Sequence, residues 1–151
     1  PHIEMNDLFW KPNWAYPEDD EFFSRLEAAL EKNRWVLDGN YTRTIPIKWK
    51  RIETVVWLNY SFARTLRQSL RRAVTRAWTQ EEVWPGTGNR ESFRRSFFSR
   101  DSIVLWSITN YSKNKRKYAA LMTDKSYAHV DFIRLTSPRD SYALLSLIRA
   151  T

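Results

Sequence analysis

The chain has 151 residues, room for a domain with its own core, and its composition is globular: 42% hydrophobic, 15% aromatic, only three Gly. With no Cys and two distant His, disulfides, thiolate chemistry and a recognisable metal-ligand spacing are excluded. No apolar run approaches the roughly 18 residues of a membrane-spanning helix, and a cytoplasmic location is expected. The net charge of +8 is concentrated: Arg64 to Lys117 holds thirteen Lys/Arg against four Asp/Glu, and the remainder twelve against thirteen. A positive field confined to one segment suits a polyanion, whether nucleotide phosphate or nucleic acid.

In chain order, His2 to Met5 is a short β-like run. It leads into the aromatic stretch Leu8-Phe9-Trp10, followed by the turn residues Pro12-Asn13 and by Trp14. Pro17 with Glu18, Asp19, Asp20 and Glu21 marks a helix start, where acidic residues complement the dipole. Phe22, Leu26 and Leu30 carry its apolar stripe to about Lys32, with Asn33 as the stop. Trp35-Val36-Leu37 predicts a buried strand ended by Asp38-Gly39-Asn40, and Thr54 to Leu58 predicts a second. Unbroken apolar runs, each followed by a helical pattern, point to an α/β fold with a parallel sheet covered on both faces.

Ser61 caps the most distinctive helix. Phe62, Leu66, Leu70, Val74 and Trp78 recur every four residues and define one stripe. Arg64, Arg67 and Arg71 fall on another face, with Arg72 and Arg76 beside it. Glu82 to Arg90 is a loop holding Gly86 and Gly88. Glu91 to Arg100 is mixed aromatic and basic. Asp101 or Ser102 starts another helix, which continues through Trp106 and the basic run Lys113, Lys115, Arg116, Lys117 to the apolar Tyr118, Leu121 and Met122. Val130 to Leu135 is a third strand. Ser137-Pro138-Arg139-Asp140 is a capping box, and Leu144, Leu145 and Ile148 anchor the last helix.

Five guanidiniums on about three turns of helix repel one another unless an anion sits among them. Arg is the side chain best shaped to grip phosphate through paired donors; the plain alternative is a solvated basic face. Asp38 stands where a strand ends, the usual place for ligands in open parallel sheets. A carboxylate there holds Mg²⁺ through water or accepts a hydroxyl proton, and Gly39 admits close approach of an incoming group. The plain alternative is an Asp-Gly turn. Arg43 is a phosphate clamp within reach of the same place, or a loop arginine. Trp10, Trp14, Phe9 and Tyr41 form either a stacking wall for a flat group or the packing under a loop.

These residues resemble a family. Pro1 to Met5, Leu8-Phe9-Trp10 and Pro12-Asn13-Trp14 are similar to the segment after the first helix of the bacterial adenylate-kinase-like P-loop proteins known as topology modulation proteins. Trp35 to Arg43 resembles their third-strand motif, and Thr54 to Leu58 their fourth strand. Trp84 to Arg90 with Phe97 to Ile103 resembles the lid, and Arg134 to Arg139 the fifth strand and following loop. The resemblance covers essentially the whole chain. It implies one three-layer nucleotide-kinase-like domain over residues 1–151, with strand order 2-3-1-4-5 and a helical lid over about 61–122. It implies phosphoryl transfer from ATP, with Mg²⁺, to a small acceptor. By position, Arg71, Arg72, Arg76 and Asp38 would be catalytic. Trp10, Tyr41 and Arg43 would bind the acceptor. Arg90, Arg116, Pro138 and Arg139 would contact the nucleotide.

The chain departs from that family in one decisive place. Its glycines are Gly39, Gly86 and Gly88, and no GxxxxGK[ST] is present. The expectation is that the first strand, phosphate loop and first helix, roughly 20–25 residues, belong upstream of Pro1. The sheet would then be open at its centre, unless the flanking strands close up and pair. The chain is accordingly expected to bind ATP weakly and to be inactive without that segment. Asn6 stands where many relatives carry Asp and can serve neither as base nor as strong cation ligand. Two other readings stay open: a nucleic-acid-binding protein on the same scaffold, using charge and interleaved aromatics, and a non-catalytic scaffold for a protein partner.

Overall fold

The computed structural model describes residues 1–99 and 102–150; Arg100 and Asp101, assigned above to the lid motif and a helix start, and Thr151 lie outside the described residues. The chain divides into two compact units, Pro1–Ile52 with Arg76–Ser92, and Glu53–Thr75 with Phe93–Thr151. Each is an α/β unit built on a two-stranded parallel ladder.

In the first unit, β1 (His2–Glu4) pairs with β2 (Val36–Asp38) in the register His2↔Val36, Ile3↔Leu37, Glu4↔Asp38. Between them run α1 (Met5–Phe9) and α2 (Asp19–Ala29). Met5, Phe9, Phe22, Leu26 and Leu30 form the core, with Trp35, Leu37 and Tyr41 packed against it. Burying each such side chain contributes about 1.5–3 kcal/mol. α2 ends near Ala29, short of the Lys32 expected from its stripe. Arg51 accompanies the early stop: its guanidinium donates to the carbonyls of Leu30 at 2.6 Å and Lys32 at 3.4 Å, which have no intrahelical partner once the helix has ended. α3 (Ile45–Lys48) follows.

Gly39 leaves β2 with φ +145°, and a Cβ on it would stand 2.6 Å from Cβ of Met5. The space that the sequence allotted to an incoming group is filled by the core itself. The loop 82–90 closes through an antiparallel bridge between Glu82 and Arg90. Its buried Asn89 donates to the Lys11 carbonyl and accepts from the Trp14 amide, both at 2.9 Å. Two hydrogen bonds thus pin this loop to the aromatic segment 10–14.

In the second unit, β3 (Thr54–Leu58) pairs with β4 (Asp131–Leu135) over five residues, Thr54↔Asp131 to Leu58↔Leu135. The intervening chain is helical: α4 (Phe62–Thr79), α5 (Phe93–Phe98) and α6 (Ile103–Thr123), with α7 (Pro138–Ala150) after β4. The Ser61 hydroxyl accepts from the Arg64 amide at 3.4 Å and Ser102 from Leu105 at 3.2 Å, so both long helices start on a serine. At α7, the Asp140 carboxylate accepts from the amides of Thr136 (2.7 Å) and Ser137 (2.8 Å), and the Ser137 hydroxyl accepts from Asp140 (3.3 Å), completing the predicted capping box.

α4 buries a different face from the one its stripe suggested. Ser69, Ala73 and Ala77 are buried, while Val74 and Trp78 are 46% and 79% exposed. Small side chains let a helix approach its neighbour closely, and the Ser69 and Ser107 hydroxyls meet at 3.1 Å between α4 and α6. On α7, Leu144 is half-buried but Leu145 and Ile148 are exposed. Tyr60 instead ties α7 through a 2.6 Å hydrogen bond to Ser141. On β3, Val56 and Leu58 share one face of the strand and both are exposed.

Gly39→Ala is expected to destabilise the first unit by about 1–3 kcal/mol, because it adds backbone strain to the overlap with Met5. Denaturant unfolding followed by Trp fluorescence measures it, and an unchanged midpoint would show that the turn leaves β2 by another path.

Candidate functional site

α4 gives the second unit a basic face. Arg64, Arg67, Arg71 and Arg72 are exposed. Among the described residues, no carboxylate pairs with Arg64, Arg67 or Arg71. Like charges at these spacings cost a few tenths of a kcal/mol per pair, so the face is affordable when solvated and improves when an anion joins it. Arg76 differs. Its Nη1 lies 3.4 Å from Glu91, whose side chain is nearly buried, and Gln80 donates to the Glu91 carbonyl at 2.7 Å. Arg76 therefore holds the chain after the loop, its charge already matched. Arg90 donates to the Gln80 carbonyl, a second tie at the same end of α4.

In the first unit, three predicted acceptor residues converge on the Phe9 ring. Trp10 packs edge-on to it at 5.1 Å, Tyr41 lies at 4.9 Å and the Arg43 guanidinium at 5.2 Å. Arg43 also sits over Phe22 at 5.5 Å and pairs with Asp19 at 3.1 Å. The Tyr41 hydroxyl donates to Oδ1 of Asn6 at 2.8 Å. Burial pushes this phenol up to about 12 although Arg43 pulls it down. It is therefore neutral and a hydrogen-bond donor across the physiological range.

Trp10 and Trp14 do not stand as an open wall. Trp84 from the 82–90 loop stacks on Trp10 at 5.1 Å and 15°, and Trp14 meets both edge-on at 5.6 and 5.5 Å. The stacked faces of Trp10 and Trp84 cover each other. Asp38 is exposed at the carboxyl end of β2. Its register partner is Glu4 on β1, so two carboxylates stand side by side at that end. Glu4 went unnoticed in the sequence because only the strand register places it there. No group of three or more potential metal ligands occurs among the described residues.

In the second unit, Arg134 stands across the ladder from Trp57, its guanidinium 5.3 Å from the ring. The Asn59 amide oxygen accepts from its Nε at 2.6 Å and Nη2 at 2.7 Å. Tyr118 stacks on Trp57 at 5.8 Å, and the Lys117 ammonium lies 4.8 Å from the Tyr118 ring. Burial holds Lys117 below its ordinary value and the Tyr118 phenol above its own. Arg116 is exposed on α6, and Arg139 on α7. Beside Pro138, the amides at the start of α7 are taken by Asp140. The Thr136 amide, first among four hydrogen bonds from Thr136 and Ser137, holds that carboxyl below the usual range.

The first unit thus carries Trp10, Asp38, Tyr41, Arg43, Arg76 and Arg90, and the second Arg71, Arg72, Arg116, Pro138 and Arg139. The Tyr41 phenol has a raised folded value, so its contribution is present below the unfolded pKa near 10 and is lost as pH climbs towards 12. Stability is expected to fall across that window, and less steeply in Tyr41→Phe; parallel profiles for the two proteins would remove the assignment. Comparison with protein-family models, curated proteins and solved structures found no match for this chain.

Proposed function

We propose that this chain is the body of a nucleotide-dependent phosphoryl-transfer protein of the adenylate-kinase-like P-loop type, working with a strand, phosphate loop and helix that these 151 residues do not include. One observation carries the reading. The described ladders, β1 with β2 and β3 with β4, are both parallel. In this reading they would be neighbours 2-3 and 4-5 of the order 2-3-1-4-5, and among the described residues each ladder has an open edge of the kind that order gives to strand 1. The exposed Val36, Val56 and Leu58 on these short strands supply apolar surface that a further strand and helix would cover.

In this reading the added segment grips the donor phosphates through backbone amides and its Lys, with Mg²⁺. Arg71 and Arg72 neutralise the transferring phosphoryl group, and Arg90 and Arg116 act as lid cations. Arg76 joins them only by leaving Glu91. The acceptor lies against Trp10 and Tyr41, with Arg43 exchanging Asp19 for an acceptor phosphate. Asp38 takes the acceptor proton or orients hydrated Mg²⁺, and Pro138 with Arg139 flanks the donor base.

Isothermal titration of ATP into this chain and into one extended upstream by the phosphate-loop segment tests the reading. Micromolar binding is expected only for the extended chain; equal binding by both would sink it. In the extended chain, replacing Arg71 and Arg72 by Ala is expected to lower turnover by about 10²–10³-fold, the scale for losing one preorganised donor to developing charge.

A second reading is favoured by the distribution of charge. The second unit holds fifteen Lys/Arg against five Asp/Glu, the first ten against twelve. Such a unit would bind single-stranded nucleic acid through phosphate contacts and stacking on exposed rings such as Trp106. Affinity for an oligonucleotide should then fall steeply with salt and collapse on charge reversal at Arg71 and Arg72. Salt-insensitive or absent binding would leave the kinase reading alone.

A further inference from the structure

The apolar shoulder of α4 has no role in phosphoryl transfer. Ser69 and Ala73 point into the second unit, 5% and 1% exposed. Further round the helix, Ala63, Leu66, Leu70 and Val74 make a second apolar line at i, i+3, i+7 and i+11. Leu66 and Leu70 are half-buried, whereas Ala63 and Val74 are exposed. Together with Arg67, Arg71 and Thr75 beside them they form one open face of α4, apolar along its middle and basic along one margin. Arg64 stands just outside that margin, and α4 contains no acidic residue.

We propose that this face of α4 docks an amphipathic helix of a protein partner, with aliphatic side chains against Leu66, Leu70 and Val74 and carboxylates against Arg64, Arg67 and Arg71. The apolar line runs for about three turns at the spacing into which the ridges of a second helix interdigitate. The charged residues of that margin are all cationic, and among the described residues no carboxylate pairs with Arg64, Arg67 or Arg71, so the complementary surface is acidic. That charge argues against a second copy of this chain, which would set the same guanidiniums against one another. The apolar line is aliphatic, with no ring on which a base stacks, which argues against a nucleic-acid strand on this face. The proposal shares Arg71 with the phosphoryl-transfer reading and otherwise stands apart from it.

The probe is a fluorescein-labelled synthetic helix of about 18 residues with a leucine stripe flanked by glutamates. Its anisotropy is followed with the intact protein and with the surface variants Val74→Glu and Arg67→Glu, after circular dichroism has shown both to be folded. Micromolar binding is expected, weakened about tenfold or more by either variant and absent for a peptide with lysines in place of the glutamates. The proposal is overturned if the lysine peptide binds equally, if the variants bind as the parent does, or if the parent fails to bind. Preferential binding to phosphatidylserine vesicles, lost in the same variants, would overturn it in favour of a lipid surface; dimerisation abolished by Val74→Glu would overturn it in favour of self-association. ATP titration of the upstream-extended Val74→Glu protein separates the two ideas. Retained ATP binding with lost peptide binding supports docking on α4, whereas lost ATP binding in the parent leaves the peptide result untouched.

Discussion

A parallel ladder of two strands satisfies only one edge of each strand, and nothing within the ladder covers its faces. Everything else in this molecule follows from how each unit lives with that constraint. The first unit answers with aromatic mass: Met5, Phe9, Phe22, Leu26 and Leu30 make a dry centre, and Trp35, Leu37 and Tyr41 close round it. The second unit has a longer ladder but less in its centre. Its buried apolar residues, Trp57, Ala73, Val130 and Leu135, are few, while Leu145, Leu147 and Ile148 lie open on α7. Apolar surface left uncovered on the strands and helices of one unit costs stability.

The arginines sort into two populations by what they touch. Arg43, Arg51 and Arg76 are spent on the fold, held by Asp19, by the carbonyls ending α2, and by Glu91. Arg134 is held too, but by neutral groups, the Trp57 face and the Asn59 amide. Among the described residues, no carboxylate pairs with Arg64, Arg67 or Arg71. A charge that the fold neither uses nor cancels keeps its full capacity for a ligand, and that distinction is invisible in a count of basic residues.

Local chemistry was legible in the sequence. Patterns a few residues long predict strands over 35–37, 54–58 and 130–135, the long Arg-rich helix and the Ser137–Asp140 cap, because propensity and capping act over that range; the strands form at 36–38, 54–58 and 131–135. The α/β class followed from unbroken apolar runs. Contacts across long separations were not legible. Nothing nearby announces that Trp84 stacks on Trp10, that Tyr41 donates to Asn6, or that Glu4 stands beside Asp38. The buried face of α4 was misread for a related reason. Leu66 and Leu70 dominate the helix by hydrophobicity, but close approach to α6 selects Ser69 and Ala73, and only a neighbour's position can make that choice.

The Asn89 clasp has a practical corollary. By fastening the 82–90 loop to the Lys11–Trp14 segment, it holds three indoles in van der Waals contact, one pair face to face. Chromophores that close share their electronic transitions, so their circular dichroism in the far ultraviolet is expected to carry a paired, opposite-signed band. The amplitude of that band is an inbuilt optical gauge of whether the loop is seated, readable without any label.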